Sequence, residues 1–139
     1  MKNIHTHGST TVRQKLAKNA VNWYIDRYLP NVRKLHIDVH MGALSEVNGS
    51  CTQLKKRKYM LEIDSRLNMD DFVTTVMHEM IHVKQYVLNE MHDMPSGSVR
   101  WKSRPINPMN LDYWEHPWEK EAHKYDRVLS SIFMVDMDY

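Results

Sequence analysis

Apolar residues recur every three or four positions in three stretches of the chain, which is the period of amphipathic helices. Ser9 or Thr10 can cap the first helix, which is predicted to end near Tyr28. The second is predicted over residues 69–89, and the third over residues 117–134 with a proline in its first turn. The pattern therefore predicts three helices, and the second is apolar enough to be largely buried.

Two shorter stretches, residues 35–40 and 59–63, alternate strictly between apolar and polar side chains, which predicts half-buried strands. An Asn-Gly pair that begins at Asn48 is a hairpin turn signal, with short flanking segments around residues 43–44 and 51–54. Helices and strands together predict an α+β fold, and the length fits one domain over residues 1–139. Residues 1–8 carry no periodic pattern and are predicted to form a flexible arm.

Alternation in the first strand places His36, Asp38 and His40 on one face. Two histidines that flank an aspartate are potential metal ligands, but strand periodicity alone also creates such a stripe. A solvent-facing surface is therefore the preferred interpretation. Residues 91–113 contain three prolines and no helical period, and long loops of this kind often contribute to binding sites. We expect this segment to form one wall of a substrate-binding cleft.

The composition narrows the range of functions. Hydrophobic residues make up 42% of the chain and charged residues 26%, as in ordinary globular proteins, and a net charge of +2 is too small to indicate nucleic-acid binding. The single cysteine, Cys51, excludes an intrachain disulfide and a thiolate zinc cluster. The chain shows neither a membrane-length apolar run nor a signal-peptide core, so we expect a cytoplasmic protein without membrane association.

The predicted second helix contains a His-Glu-x-x-His motif at residues 78–82. Histidines four residues apart leave the same face of a helix, one turn apart, so His78 and His82 can occupy two corners of a zinc tetrahedron. Glu79 lies about 100° round the helix from His78, where its carboxylate can take a proton from a metal-bound water. A metal ion would also give these buried polar groups the partners that they need. The motif therefore predicts a Zn²⁺ site.

A catalytic zinc ion needs a third protein ligand and one open position. A third histidine six residues after the second is absent, because Leu88 occupies that position. The third predicted helix offers Glu119 and Glu121, which lie about 200° apart around its axis, so only one can face the metal. The small Ala122 shares the face of Glu119 and would let the two helices approach closely. This favours Glu119, with Glu121 as the alternative, and leaves His123 placed to hydrogen-bond a ligand histidine.

Three segments together resemble the small zincin-type metallopeptidases of phages and bacteria, a group that includes SprT-like proteins. They are the strand at 59–63, the motif helix from His78 to Tyr86, and the segment 113–122 with its Pro-Trp-Glu-x-Glu-Ala sequence. The resemblance implies a zincin-like fold with an N-terminal helix, a small mixed sheet whose edge strand flanks the cleft, and two metal-bearing helices. In gluzincin members, a glutamate three residues before an alanine is the third zinc ligand, and Glu119 fills that position.

The predicted function is that of a zinc-dependent metallopeptidase acting on a peptide or protein substrate. His78, His82 and Glu119 would hold Zn²⁺, and Glu79 would act as general base on the bound water. Residues 59–63 are expected to offer an unpaired strand edge to an extended peptide. A donor besides the metal must stabilise the oxyanion of the tetrahedral intermediate. The candidates for this donor are Arg104, Tyr113, His116 and His123.

Two other functions compete with this one. A non-catalytic protein could keep zinc for stability, as a structural or adaptor component of a larger assembly such as a virion. A fourth protein ligand, for which His116 and His123 are available, would mark that case. A nucleic-acid-associated protease is supported only by the basic run at 55–58. That run has no aromatic platform nearby and is more readily explained as a solvated lead-in to a strand, so nucleic acid is not the expected partner.

Overall fold

The computed structural model describes residues 2–139 and contains three α-helices and two β-sheets. The helices are α1 (Thr11–Tyr28), α2 (Met69–Val87) and α3 (Pro117–Asp136). The larger sheet contains β1 (Lys2–His7), β2 (Leu35–Gly42), β3 (Gly49–Lys55) and β4 (Lys58–Asp64). The smaller sheet contains β5 (Met91–Asp93), β6 (Val99–Trp101) and β7 (Arg104–Ile106). The predicted mixture of helices and strands is confirmed. None of the described helices is both long and apolar enough to cross a membrane.

The larger sheet has the strand order β1-β2-β4-β3, in which β1, β2 and β4 are parallel and β3 runs antiparallel to β4. The prediction that residues 59–63 form the free edge is wrong, because they lie in β4, which is paired on both sides. The turn predicted at Asn48 is also misplaced: Lys55 pairs with Lys58, so the hairpin turn lies at Lys56 and Arg57. The basic run spans this turn and the strand residue on either side of it, and the edge strand beside it is β3.

The prediction of a flexible arm at residues 1–8 is wrong for Lys2–His7, which form β1. This strand pairs in parallel with β2 over six residues and buries Ile4 against the core. The backbone groups of β1 find their hydrogen-bond partners on a strand that is distant in the sequence. Local periodicity cannot predict such a pairing. Met1, the first residue of the predicted arm, lies outside the described residues.

One face of the larger sheet is apolar and packs against α1 and α2, while α3 packs against α2. The other face carries the polar stripe of β2. There, His36 contacts the Asn3 side chain at 3.3 Å, and the His40 ring stacks on His7 with centroids 4.6 Å apart. Within residues 2–139, this face brings no three potential ligand atoms close enough to share a metal ion. The two histidines of the stripe thus contact neighbours on β1, and the predicted alternative of a second metal site on this face is not supported.

Candidate metal centre

Helix α2 carries the two motif histidines in its buried middle. Asn68 caps the helix, because its side chain accepts a hydrogen bond from the Asp71 backbone N–H at 2.9 Å. His78 and His82 are 7% and 6% exposed, one turn apart, with ring centroids separated by 4.9 Å. Glu79, between them in sequence, is 5% exposed. The helix therefore presents two imidazoles and a carboxylate within a largely buried site.

Helix α3 brings a carboxylate to both histidines. Glu119 Oε1 lies 2.9 Å from His78 Nε2 and 3.1 Å from His82 Nε2. Donor atoms that share a tetrahedral zinc ion at 2.0–2.1 Å are about 3.3 Å apart, so this spacing is close to that of a ligand set. Ala122 is fully buried at the helix contact, where a larger side chain would keep α3 away. His78, His82 and Glu119 could therefore bind a metal ion.

Each histidine has a partner on its other ring nitrogen. His78 Nδ1 donates to Asp126 Oδ2 at 3.1 Å, and His82 Nδ1 donates to Gln85 Oε1 at 2.7 Å. These bonds fix the rings so that Nε2 of each faces Glu119, which is how outer partners usually orient metal-binding histidines. Our sequence reasoning missed both partners. The available signals were that Gln85 lies one turn after His82, and that Asp126 lies two turns after Glu119 on the same face of α3.

Gln85 also joins the two helices. Its side chain is fully buried, and its Nε2 donates to the Trp118 carbonyl at 3.0 Å and to Glu121 Oε1 at 3.2 Å. Glu121 therefore faces Gln85 and Lys84, whose Nζ is 3.6 Å away, instead of the histidine pair. Of the two glutamates that the sequence offered as third ligand, the geometry places Glu119 at the site.

Burial and hydrogen bonding shift the pKa values of the side chains in this cluster in opposite directions. Burial would lower the pKa of His78, but its contacts with Asp126 and Glu119 outweigh burial and raise the pKa to about 10. The pKa of His82 is raised in the same way, with burial opposed by its hydrogen bond to Glu119. Burial would raise the pKa of Glu119, yet the two histidines hold it well below its usual value. The protein thus stabilises positive charge beside Glu119, where a bound cation would compete with protons.

Glu79 lies beside the ligand set without joining it. Burial raises the pKa of this carboxyl to about 7, although the nearby His82 and His78 act to lower it. A carboxyl that titrates near neutral pH can accept a proton and release it again. Its Oε2 also approaches the first residue of β3: a Cβ added at Gly49 would lie 3.1 Å from it and 2.7 Å from Thr75 Cγ2. Only a glycine allows the edge strand to come this close to the carboxylate.

Of the four candidates for the oxyanion donor, two lie next to the ligand set and two do not. The Tyr113 hydroxyl donates to Glu119 Oε1 at 2.9 Å and contacts His123 Nε2 at 3.0 Å, so both residues border the site. Arg104 is exposed on β7 and does not line the cleft, and His116 contacts the Pro108 carbonyl at 3.0 Å. Neither of these two is brought to the ligand set.

His123 packs its ring on His78, with centroids 4.4 Å apart, and places Nδ1 3.4 Å from Asp126 Oδ2. The hydrogen bond to a ligand histidine that the sequence assigned to His123 is therefore made by Asp126. His78, His123 and Asp126 form a second group that could bind a metal ion, on the exposed side of the first. Among residues 2–139, no fourth histidine, cysteine or carboxylate joins His78, His82 and Glu119 within ligand distance.

The site opens into a cleft of about 1080 Å³. The start of β3 forms one wall, and Met91 and Val99 of the smaller sheet contribute to another, as expected for the 91–113 segment. Tyr113 and Trp114 also line the cleft, and the Trp114 side chain is 67% exposed. The cleft therefore joins the ligand set to a free strand edge and to an apolar wall. The chain matched no family model, no curated protein and no solved structure with which it was compared.

Proposed function

We propose that this protein is a zinc-dependent metallopeptidase. One observation carries the proposal: Glu119 Oε1 lies 2.9 Å from His78 Nε2 and 3.1 Å from His82 Nε2. The buried Glu79 lies beside these three groups. Two imidazole nitrogens and one carboxylate oxygen are a usual protein ligand set of a catalytic zinc ion. The lack of a fourth protein ligand among the described residues favours this over a closed, structural site.

The arrangement of elements supports a zincin-like fold. A helix with the His-Glu-x-x-His motif lies against the sheet, a second helix supplies the third ligand, and an antiparallel edge strand begins at the cleft. The strand that would pair with an extended substrate is β3, which replaces residues 59–63 in that role. The alternative is a non-catalytic, zinc-stabilised component of a larger assembly. It accounts for the three ligands but not for the buried carboxylate of Glu79 beside them.

The chemistry follows from the groups that surround the ligand set. A bound zinc ion supplies a polarised water and a Lewis acid for the substrate carbonyl. Glu79 would be the group that accepts a proton from a water activated at this site and passes it to the leaving amine, and its pKa of about 7 in the metal-free protein suits both roles. Tyr113 and His123 border the ligand set, which makes them the candidates for the oxyanion donor. Asp126 and Gln85 hold the two histidines in position throughout.

The test is a Glu79→Gln variant, which keeps the size of the side chain and removes the base. We expect it to retain one zinc ion per chain by elemental analysis and to lose about 10²–10⁴-fold in peptide hydrolysis. Glu62→Gln, the same change on the far face of the sheet, is the matched control and should keep both properties. Unchanged turnover in Glu79→Gln would refute the assignment of the base.

A further inference from the structure

Six basic side chains gather at the end of the larger sheet that lies away from the ligand set. They come from the loop between α1 and β2, and from the turn between β3 and β4 with the strand residue on either side of it. The Arg57 guanidinium donates to the Arg33 carbonyl at 2.8 Å, and the His36 N–H donates to the Arg57 carbonyl at 2.9 Å, so the two loops are in contact. We call this group the basic end, and its members are Arg33, Lys34, Lys55, Lys56, Arg57 and Lys58.

The basic end carries uncompensated charge. None of its six side chains forms a salt bridge with a carboxylate in residues 2–139, and four of the six are exposed. Lysines at a sheet edge can simply prevent edge-to-edge pairing, but that explains Lys55 and not the residues of the other loop. Lys34 and Arg57 moreover have φ values of 58° and 64°, where glycine or asparagine is favoured. Both loops thus keep a basic residue at a position that favours a different residue type.

The edge strand β3 connects the basic end to the metal centre. Gly49, its first residue, lies against Glu79, and Lys55, its last residue, belongs to the basic end. Six steps along a strand cover about 20 Å at roughly 3.3 Å per residue. In the part of the chain that the structure describes, β3 pairs only with β4, so its other edge has no strand partner. One extended segment paired with that edge would reach from the ligand set to the basic end.

We propose that the basic end binds an acidic segment of the protein substrate, about six residues from the bond that is cleaved. The inference rests on the proposed peptidase function and adds a substrate class to it. Charge complementarity supplies the attraction, and the strand edge supplies the direction in which the segment runs. An acidic peptide suits this surface better than a single-stranded nucleic acid does, because the basic end contains no aromatic side chain on which bases could stack.

The test uses zinc-loaded Glu79→Gln protein, which binds without turnover, and fluorescently labelled peptides with a neutral core. One peptide carries four glutamates on the N-terminal side of the core, one carries them on the C-terminal side, and one carries none. We expect anisotropy at low salt to show that one acidic peptide binds about tenfold more tightly than the neutral peptide. In a Lys55→Glu/Lys56→Glu background that preference should be lost.

Lys15→Glu/Lys18→Glu is the matched control, because it makes the same charge change on the exposed face of α1 and should keep the preference. Equal affinities for acidic and neutral peptides, or equal losses in the two double variants, would overturn the proposal. Tighter binding of a short DNA duplex than of either acidic peptide, abolished by Lys55→Glu/Lys56→Glu, would overturn it in favour of a nucleic-acid partner.

Hydrolysis by the wild-type protein separates this inference from the function on which it rests. If the neutral peptide is cleaved with the same kcat/KM as the acidic peptides, the peptidase stands and the basic end has no part in substrate choice. If no peptide is cleaved while the acidic preference and its loss in Lys55→Glu/Lys56→Glu are both observed, the peptidase proposal fails and the basic end still binds acidic segments.

Discussion

Replacing Gln85 with methionine should weaken metal binding through a residue that does not touch the metal. The substitution keeps the shape of the side chain and removes the acceptor of the His82 Nδ1–H bond, at 2.7 Å the shortest that Gln85 makes. It also removes the two donations that tie α2 to Trp118 and Glu121. Loss of an outer partner of a ligand histidine weakens metal affinity by about 10–100-fold, which is about 1.4–2.8 kcal/mol.

The same substitution should lower the stability of the metal-free protein. His82 is 6% exposed, so its Nδ1–H would be left without a partner in a largely dry site, at a cost of about 1–3 kcal/mol. Gln85→Glu separates the two effects, because it keeps an acceptor for His82 but loses the donations and faces Glu121 with a like charge. We expect Gln85→Glu to lose stability and to keep zinc affinity within a few fold of wild type.

Zinc affinity is measured by competition with a chromophoric chelator, and stability by denaturant unfolding followed by circular dichroism. Gln14→Met is the matched control, since Gln14 makes one hydrogen bond to the Gly8 carbonyl far from the site. Wild-type zinc affinity in Gln85→Met, or an equal loss in Gln14→Met, would contradict the assignment of Gln85 as a positioning residue.

Further substitutions and conditions test the rest of the site. Glu119→Ala should abolish stoichiometric zinc binding in elemental analysis, whereas Glu121→Ala should retain it; the reverse result would exchange their assignments. Gly49→Ala should lower both thermal stability and peptide hydrolysis, because the added Cβ meets atoms at 2.7–3.1 Å, whereas Gly42→Ala has nothing within 4 Å and should be neutral. The pKa of His78 is raised from 6.5 to about 10, so its stabilisation of the metal-free protein is fully present below pH 6.5 and is lost as the pH rises to about 10. Thermal melts should show this decline, and saturating zinc should stabilise the protein more as the pH rises, because only the neutral imidazole binds metal; melts that are flat with pH would count against the raised pKa.

Local patterns were sufficient to predict the helices and the motif pair. Rotation about the axis of α3 was also sufficient to prefer Glu119 to Glu121, because helix geometry is regular. The strand β1 escaped prediction, and β3 was predicted only in part, as the short segment at residues 51–54, for another reason. Lys2–His7 form a strand only through pairing with β2, and the exposure of β3 along much of its length leaves little apolar alternation to detect. The partners Asp126 and Gln85 depend on how α2 and α3 pack, which sequence spacing suggests but does not determine.

The ligand set has a mechanical consequence as well as a chemical one. His82 and Glu119 are 37 positions apart, and the smaller sheet lies on the chain between them. A cation held by both would act as a crosslink that closes this loop, and closing a loop of such length restricts the unfolded chain by about as much as a disulfide does, roughly 3–4 kcal/mol. In a chain with a single cysteine, a metal ion bound at this site would be the available crosslink, and it would anchor the same segment that forms the far wall of the cleft.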